Sequence, residues 1–319
     1  MVSYMAKKYL FMLVILLLLL YGCSLKSNAN NVIKEYSSPT EIYFCPYECY
    51  NPFLQAINSS TKSIHCAFYE LDEEKLISLL LEKEKHIDVK ILVDDHKKTP
   101  YPAKTDKKGV VMHDKFCVID GYVVLTGSTN PTKNCFFRNN NNLVIIHSGF
   151  LASAFENEFR NLYNGMQGKR KIRNPEKFYY INNDKIEVLF CPQDFCADKV
   201  SDLLSSANIS IMFMAFSLTN SQIISDLIAA ENRGIIVSGI VEKSSQNSFK
   251  ILNDSGLKIY YDNNPAKMHH KVFVIDSRIV ITGSFNPTQN GDDGNDENLL
   301  IIYSDKIAKR YETEFESLV

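Results

Sequence analysis

The chain of 319 residues carries 35 Lys and Arg against 37 Asp and Glu, a formal net charge of -2, and is 45% apolar. Those values describe an ordinary globular chain with material for one or two cores. They exclude a strongly basic nucleic-acid coat, although a local basic groove remains compatible with them.

In chain order, the first stretch reads as a targeting segment. Lys7 and Lys8 precede an almost wholly apolar run, residues 9–21, too short for a comfortable membrane-spanning helix. The run ends in Leu20-Tyr21-Gly22-Cys23, which resembles a bacterial lipobox with Cys23 as the lipidated residue, although Tyr21 is bulkier than usual there. Residues 1–23 are therefore read as a lipoprotein signal peptide and 24–38, rich in Ser, Asn and Lys, as a flexible tether. The expectation is an exported protein held at a membrane.

Beyond the tether the chain repeats itself. Glu41-Ile-Tyr-Phe-Cys45-Pro46 matches Glu187-Val-Leu-Phe-Cys191-Pro192. Each match is followed by a helical pattern (52–59, 197–206), an apolar strand (63–69, 209–217), a second helix (72–85, 221–232) and another strand (89–93, 235–241). The closing helices also correspond, around 154–159 and 310–315. Strands alternating with helices predict an α/β fold: a first repeat over 39–165, a linker over 166–184 and a second repeat over 185–319. A helix-and-strand pattern at 248–262 has no counterpart in the shorter, Lys-rich and Pro-broken stretch 94–108, so the first half should lack one surface helix. The linker carries Lys169, Arg170, Lys171, Arg173 and Lys177 and reads as solvated, with contact to anionic headgroups or phosphates as the other reading.

Each repeat contains the pattern His-x-Lys-x4-Asp-x6-Gly-Ser-x-Asn without a gap. It is met by His113, Lys115, Asp120, Gly127, Ser128 and Asn130, and again by His269, Lys271, Asp276, Gly283, Ser284 and Asn286. Alternation puts His and Lys of each copy on one face of a strand. The apolar runs after them suit strands buried on both faces. A hairpin turn at Asp120-Gly121 or Asp276-Ser277 would return Ser and Asn to the His and Lys. Imidazole, ammonium, hydroxyl and amide around one spot are what an anionic phosphate oxygen needs.

This duplicated pattern resembles the HKD signature of the phospholipase D superfamily, over both halves from about Glu41 onward. The resemblance implies two pseudo-twofold related α/β lobes, each a mixed sheet flanked by helices, with one active site between them. It implies a phosphodiesterase without cofactor or metal, in which one His forms a phosphohistidine while the other serves as acid and then base. His113, Lys115, His269, Lys271 and Glu297 are the catalytic candidates. Ser128, Asn130, Ser284 and Asn286 are expected at the phosphate, and Asp120 and Asp276 are read as structural carboxylates. Glu297 holds a place that Asn141 takes in the first half. A carboxylate fixes an imidazole tautomer and favours its protonated form, so Glu297 is expected behind His269 as the acid, leaving neutral His113 as nucleophile.

Cys45 with Cys49 and Cys191 with Cys196 fall at equivalent places and are read as local disulfides, in preference to a four-cysteine zinc site. Cys66 and Cys117 read as core thiols. For substrate, membrane tethering favours a phospholipid, with an endonuclease acting outside the cytoplasm as the alternative. A phosphatidyl transferase and a non-enzymatic surface lipoprotein are the remaining readings. With both motifs in one chain, a monomer is expected.

Overall fold

The computed structural model describes residues 33–106, 109–174 and 177–319. The stretch read as a signal peptide, with Cys23, and most of that read as a tether lie outside the described residues. Among those described, no helix is long and apolar enough to cross a membrane.

Two mixed sheets follow one strand order. In the first lobe it runs Glu41–Cys45, Asn141–His147, Val123–Gly127, Lys115–Ile119, Ser63–Phe68, Asp88–Val93 and Lys104–Thr105. In the second it runs Asp184–Cys191, Asn295–Tyr303, Ile279–Gly283, Lys271–Ile275, Ser210–Ala215, Ile236–Val241 and Lys258–Tyr261. Ser63–Phe68 pairs parallel with Asp88–Val93 and antiparallel with Lys115–Ile119, and the second lobe repeats both relations. Phe178–Ile181, within the stretch read as linker, is a further strand beside Asp184–Cys191. Helix Gln246–Asp254 has no counterpart among the described residues between Val93 and Lys104, as the uneven repeat predicts.

The motif strands form hairpins because their turns suit the two residues that make them. Asp120 and Gly121, and likewise Asp276 and Ser277, all have positive φ, the geometry of the tight turn that matches strand twist. Each Asp also accepts hydrogen bonds from three successive amides: Asp120 from Thr61, Lys62 and Ser63, Asp276 from Asn208, Ile209 and Ser210, at 2.7–3.2 Å. Partial burial works against these charges, but the amides hold both carboxyls below their ordinary range. They are structural, as the sequence suggested.

Cys45–Cys49 and Cys191–Cys196 are joined, which leaves no four-thiolate zinc site. Cys66 and Cys117, expected as separate thiols, are joined too. The antiparallel register sets them directly opposite on neighbouring strands, a relation that sequence spacing does not reveal.

The lobes grip each other through their closing helices. Phe155, on Gly149–Tyr163, meets Phe190 of the second lobe edge-on at 5.2 Å; Tyr311, on Asp305–Leu318, meets Phe44 of the first at 5.2 Å. Such pairs add about 1 kcal/mol each beyond the area they bury.

Candidate active site

The segment that precedes each histidine crosses to the other lobe. Val111–Met112 pairs parallel with Asn295 and Asp296, and the His113 amide donates to the Asp296 carbonyl at 2.9 Å. In mirror fashion Met268 bridges Asn140, and the His269 amide donates to the Asn140 carbonyl at 2.8 Å. Each approach is pinned from its own lobe by an acid that the sequence reading missed: Asp94 accepts from the Met112 amide at 2.9 Å, Glu242 from that of Met268 at 2.7 Å. Both acids directly follow an inner strand, which is the one signal that marks them.

Because the backbones cross, so do the imidazole partners. His113 Nδ1 lies 2.8 Å from Glu297 Oε2, whereas His269 Nδ1 lies 2.7 Å from Asn141 Oδ1. The expected pairing of Glu297 with the histidine of its own half is therefore wrong. The sequence places Glu297 and His269 in one repeat, but the closing strand Asn295–Tyr303 faces the other repeat's motif. Glu297 is held by Ser284 Oγ at 2.6 Å and Asn295 Nδ2 at 3.0 Å. Asn141 is held as an acceptor because its Nδ2 donates to the Cys135 and Asn139 carbonyls.

The lysines point into the same space. Lys115 Nζ donates to the His113 carbonyl at 2.6 Å and Lys271 Nζ to that of His269 at 2.8 Å. Aromatic walls complete each half: Tyr69 stands 4.7 Å from the His113 ring and Phe216 4.9 Å from that of His269. Phe68 pairs with Lys115 where Ala215 pairs with Lys271, which fixes the register of the two walls. Phe68 is a core residue, and Tyr69 is the counterpart of Phe216.

Asn130 and Asn286 are buried at the site, and neither Oδ1 has a hydrogen-bond partner. Those oxygens are acceptors, so it is the Nδ2 groups of the two amides that can donate to an incoming phosphate. Ser128 and Ser284, expected at the phosphate, are wholly buried. Their hydroxyls accept from the Asn142 and Asn298 amides at 3.0 and 2.9 Å, so they lock the loop to the closing strand. The preceding glycines, Gly127 and Gly283, have positive φ, and a Cβ on either would strike the carbonyl of Asn142 or Asn298.

Burial dominates the electrostatics. It drives both histidines well below their usual range, helped by the two lysines, so both are neutral at pH 7. Lys115 is brought down to about 8 and Lys271 well below its usual value, while Glu297 is pushed up to about 7, all chiefly by burial. Unpaired cations in a buried cleft form a site that an anion would relieve. One group of possible metal ligands lies beside the site: Asp94, Asp95 and His96 bring ligand atoms within 4.8 Å of one another. Asp94 is already committed to the Met112 and His96 amides.

A family model described as cardiolipin synthase, PLD-like domain, matches residues 53–163 and 200–319, which is most of both lobes. The chain belongs to the phospholipase D superfamily. A Rickettsia bellii protein named phospholipase D is 31% identical over 135 residues, 41% of this chain and 67% of that protein. A mitochondrial cardiolipin hydrolase of Homo sapiens is 28% identical over 119 residues, 36% of this chain and 47% of that one. Phosphatidylserine synthase of Haemophilus influenzae superposes on 86% of this chain and 85% of its own with a TM-score of 0.67 at 15% identity, a likeness of fold. As a superfamily member the chain is a phosphoric diester hydrolase, and its two His-Lys pairs are both intact.

Proposed function

We propose that this phosphodiesterase hydrolyses phospholipid headgroup diesters through a phosphohistidine on His113. The observation that carries the assignment is the unequal backing of the two imidazoles. Glu297 holds the proton of His113 on Nδ1, leaving the Nε2 lone pair free to attack phosphorus, and offsets the positive charge that the ring acquires as the bond forms. The leaving alcohol oxygen takes its proton from Nε2 of His269. That ring is neutral in the empty site, and an arriving anionic diester, by neutralising Lys115 and Lys271, raises its proton affinity. Water then gives a proton to His269 and its oxygen to phosphorus, freeing His113. Asn130 and Asn286 bind the non-bridging oxygens, and the scheme requires no metal.

The cleft mouth supports a lipid over a nucleic-acid strand. Adjoining depressions of about 430 and 370 Å³ beside Phe216 are lined by Ser217, Thr219, Asn286 and Gln289 in one and by Ser244–Ser248 in the other, without Lys or Arg. On the opposite rim, Lys97 and Lys133 are paired with Glu70 and Glu74. Lys267, 5.6 Å over the Phe216 ring, is one exposed cation at this mouth, where a groove tracking a nucleic-acid backbone would hold a row of them. Export and lipidation at Cys23 would set this mouth at a membrane, and one chain, carrying both motifs, would act as a monomer.

The test uses protein beginning after Cys23, with EDTA, on phospholipid vesicles and on single-stranded DNA, beside His113→Ala. Phosphatidate released only by the unmutated protein supports the proposal. DNA cleavage with the same His113 dependence, and no lipid turnover, replaces it with a nuclease.

A further inference from the structure

The stretch between the repeats is solvated at Lys169, Arg170 and Arg173, as its composition suggested, but not at Lys171. Gln167 Nε2 donates to Asp106 Oδ2, and the Gly168 amide to Asp296 Oδ1, both at 2.8 Å. Lys171 is wholly buried by its side chain. Its ammonium meets Glu158, Asp296 Oδ1 at 2.8 Å and the Cys191 carbonyl at 3.0 Å. Asp296 is the residue whose carbonyl holds the His113 amide, and it adjoins Glu297 in sequence. Asp114, next to His113, is buried nearby with one oxygen lacking a hydrogen-bond partner, as has Asp296.

We propose that Lys171, from the segment joining the repeats, is a positioning residue for His113. It offsets the carboxylates packed behind the His113–Glu297 pair, so that their negative charge does not draw a further proton onto His113 and its Nε2 stays free at neutral pH. Three buried acids, Asp114, Asp296 and Glu297, would otherwise raise one another's proton affinity. Burial already lifts Asp114 to about 7 and Glu158 to about 8, with Lys171 opposing both rises. From the cleft, the pair faces Lys115, Lys271 and His269; from the first lobe, Asp94, Glu70 and Tyr69. Those groups are all lobe residues, whereas Lys171 comes from the linker. The second lobe has no such device, since Asn140 stands where Asp296 does and His270 where Asp114 does.

The experiment follows carbethoxylation of His113 by diethyl pyrocarbonate against pH, read by peptide mass spectrometry. It needs no turnover, so it stands apart from the substrate proposal. Only its kinetic companion, the rate–pH profile on bis(p-nitrophenyl) phosphate, rests on that reading. Lys171→Met removes a positive charge and should move the reactivity midpoint up by about one pH unit, with Lys171→Arg restoring it. Asp296→Asn copies the second lobe's residue, removes a negative charge and should move the midpoint down by a similar amount. Should Lys171→Met not fold, Asp296→Asn decides alone. Folded variants whose midpoint stays with the unmutated protein would overturn the proposal, leaving Lys171 a purely structural ion.

Discussion

The two closing strands, Asn141–His147 and Asn295–Tyr303, occupy equivalent places and reach across to the opposite histidine in the same way. They differ at the one atom that matters to chemistry, a carboxylate oxygen of Glu297 against an amide oxygen of Asn141. The backbone repeat is strict, while the proton inventory is not. Duplication has thus kept the scaffold symmetric and made the two imidazoles unequal, which a displacement in two steps requires.

The sharpest break of this comparison removes each ring in turn. His113→Ala and His269→Ala should each lower kcat on a phospholipid by about 10³-fold or more. On bis(p-nitrophenyl) phosphate, whose leaving group needs no acid, His269→Ala should still release one nitrophenolate per chain and leave a p-nitrophenyl phosphoryl group on His113. A burst from His113→Ala, with the label on His269, would exchange the roles.

Exchanging the backing groups should have the next largest effect. Glu297→Gln should cost about 100-fold in kcat, whereas Asn141→Asp should cost less than about tenfold. Equal losses would mean that the asymmetry has no catalytic weight.

The pH profile sharpens the same point with smaller changes. As pH falls below about 7, Glu297 gains a proton and His113 loses its charged partner. As pH rises above about 8, Lys115 loses its proton and the phosphate loses a cation. In kcat/KM of the free enzyme, the rate should peak between these values and fall about tenfold per unit at first on either side. In Glu297→Gln the acid limb should vanish while the alkaline limb stays.

The smallest effect is expected where the lobes are alike. Asp120→Asn and Asp276→Asn should each reduce stability by about 1–3 kcal/mol, through lost charge-assisted bonds to three amides, with kcat within about twofold. Both carboxyls are depressed on folding, so this stabilisation is present above the ordinary carboxylate range and is lost as pH falls through the folded value. Urea midpoints followed downward from pH 7 would check it, and a difference that does not shrink as pH falls below the ordinary carboxylate range would contradict the charge argument.

Much of this was legible in the chain because the repeat carries its own alignment. The succession of strands and helices, the motif hairpins, the missing helix after Val93 and the pairing of His with Lys in each motif follow from fixed spacings within one repeat, while the meeting of the two motifs was what the family resemblance implied. What escaped were relations between repeats. Glu297 was assigned to the wrong imidazole, Ser128 and Ser284 to the phosphate, and Lys171 to solvent, because periodicity says which face a residue takes and not which lobe meets that face. The Cys66–Cys117 bond was missed for a related reason, since it depends on the register of two strands 51 residues apart. Tyr69 and Phe216 become equivalent only once Phe68 is seen to pair with Lys115 and Ala215 with Lys271.

The crossing of Glu297 to His113 and of Asn141 to His269 makes the halves mutually dependent. Neither repeat, expressed alone, would hold its own nucleophile or acid in a defined tautomer, and two separated halves would recover function only on reassembly. Inactivation by denaturant should therefore coincide with the parting of the lobes in a single cooperative step, with no half-active species between. An enzyme braced in this way cannot leave one imidazole working after its sister lobe has gone.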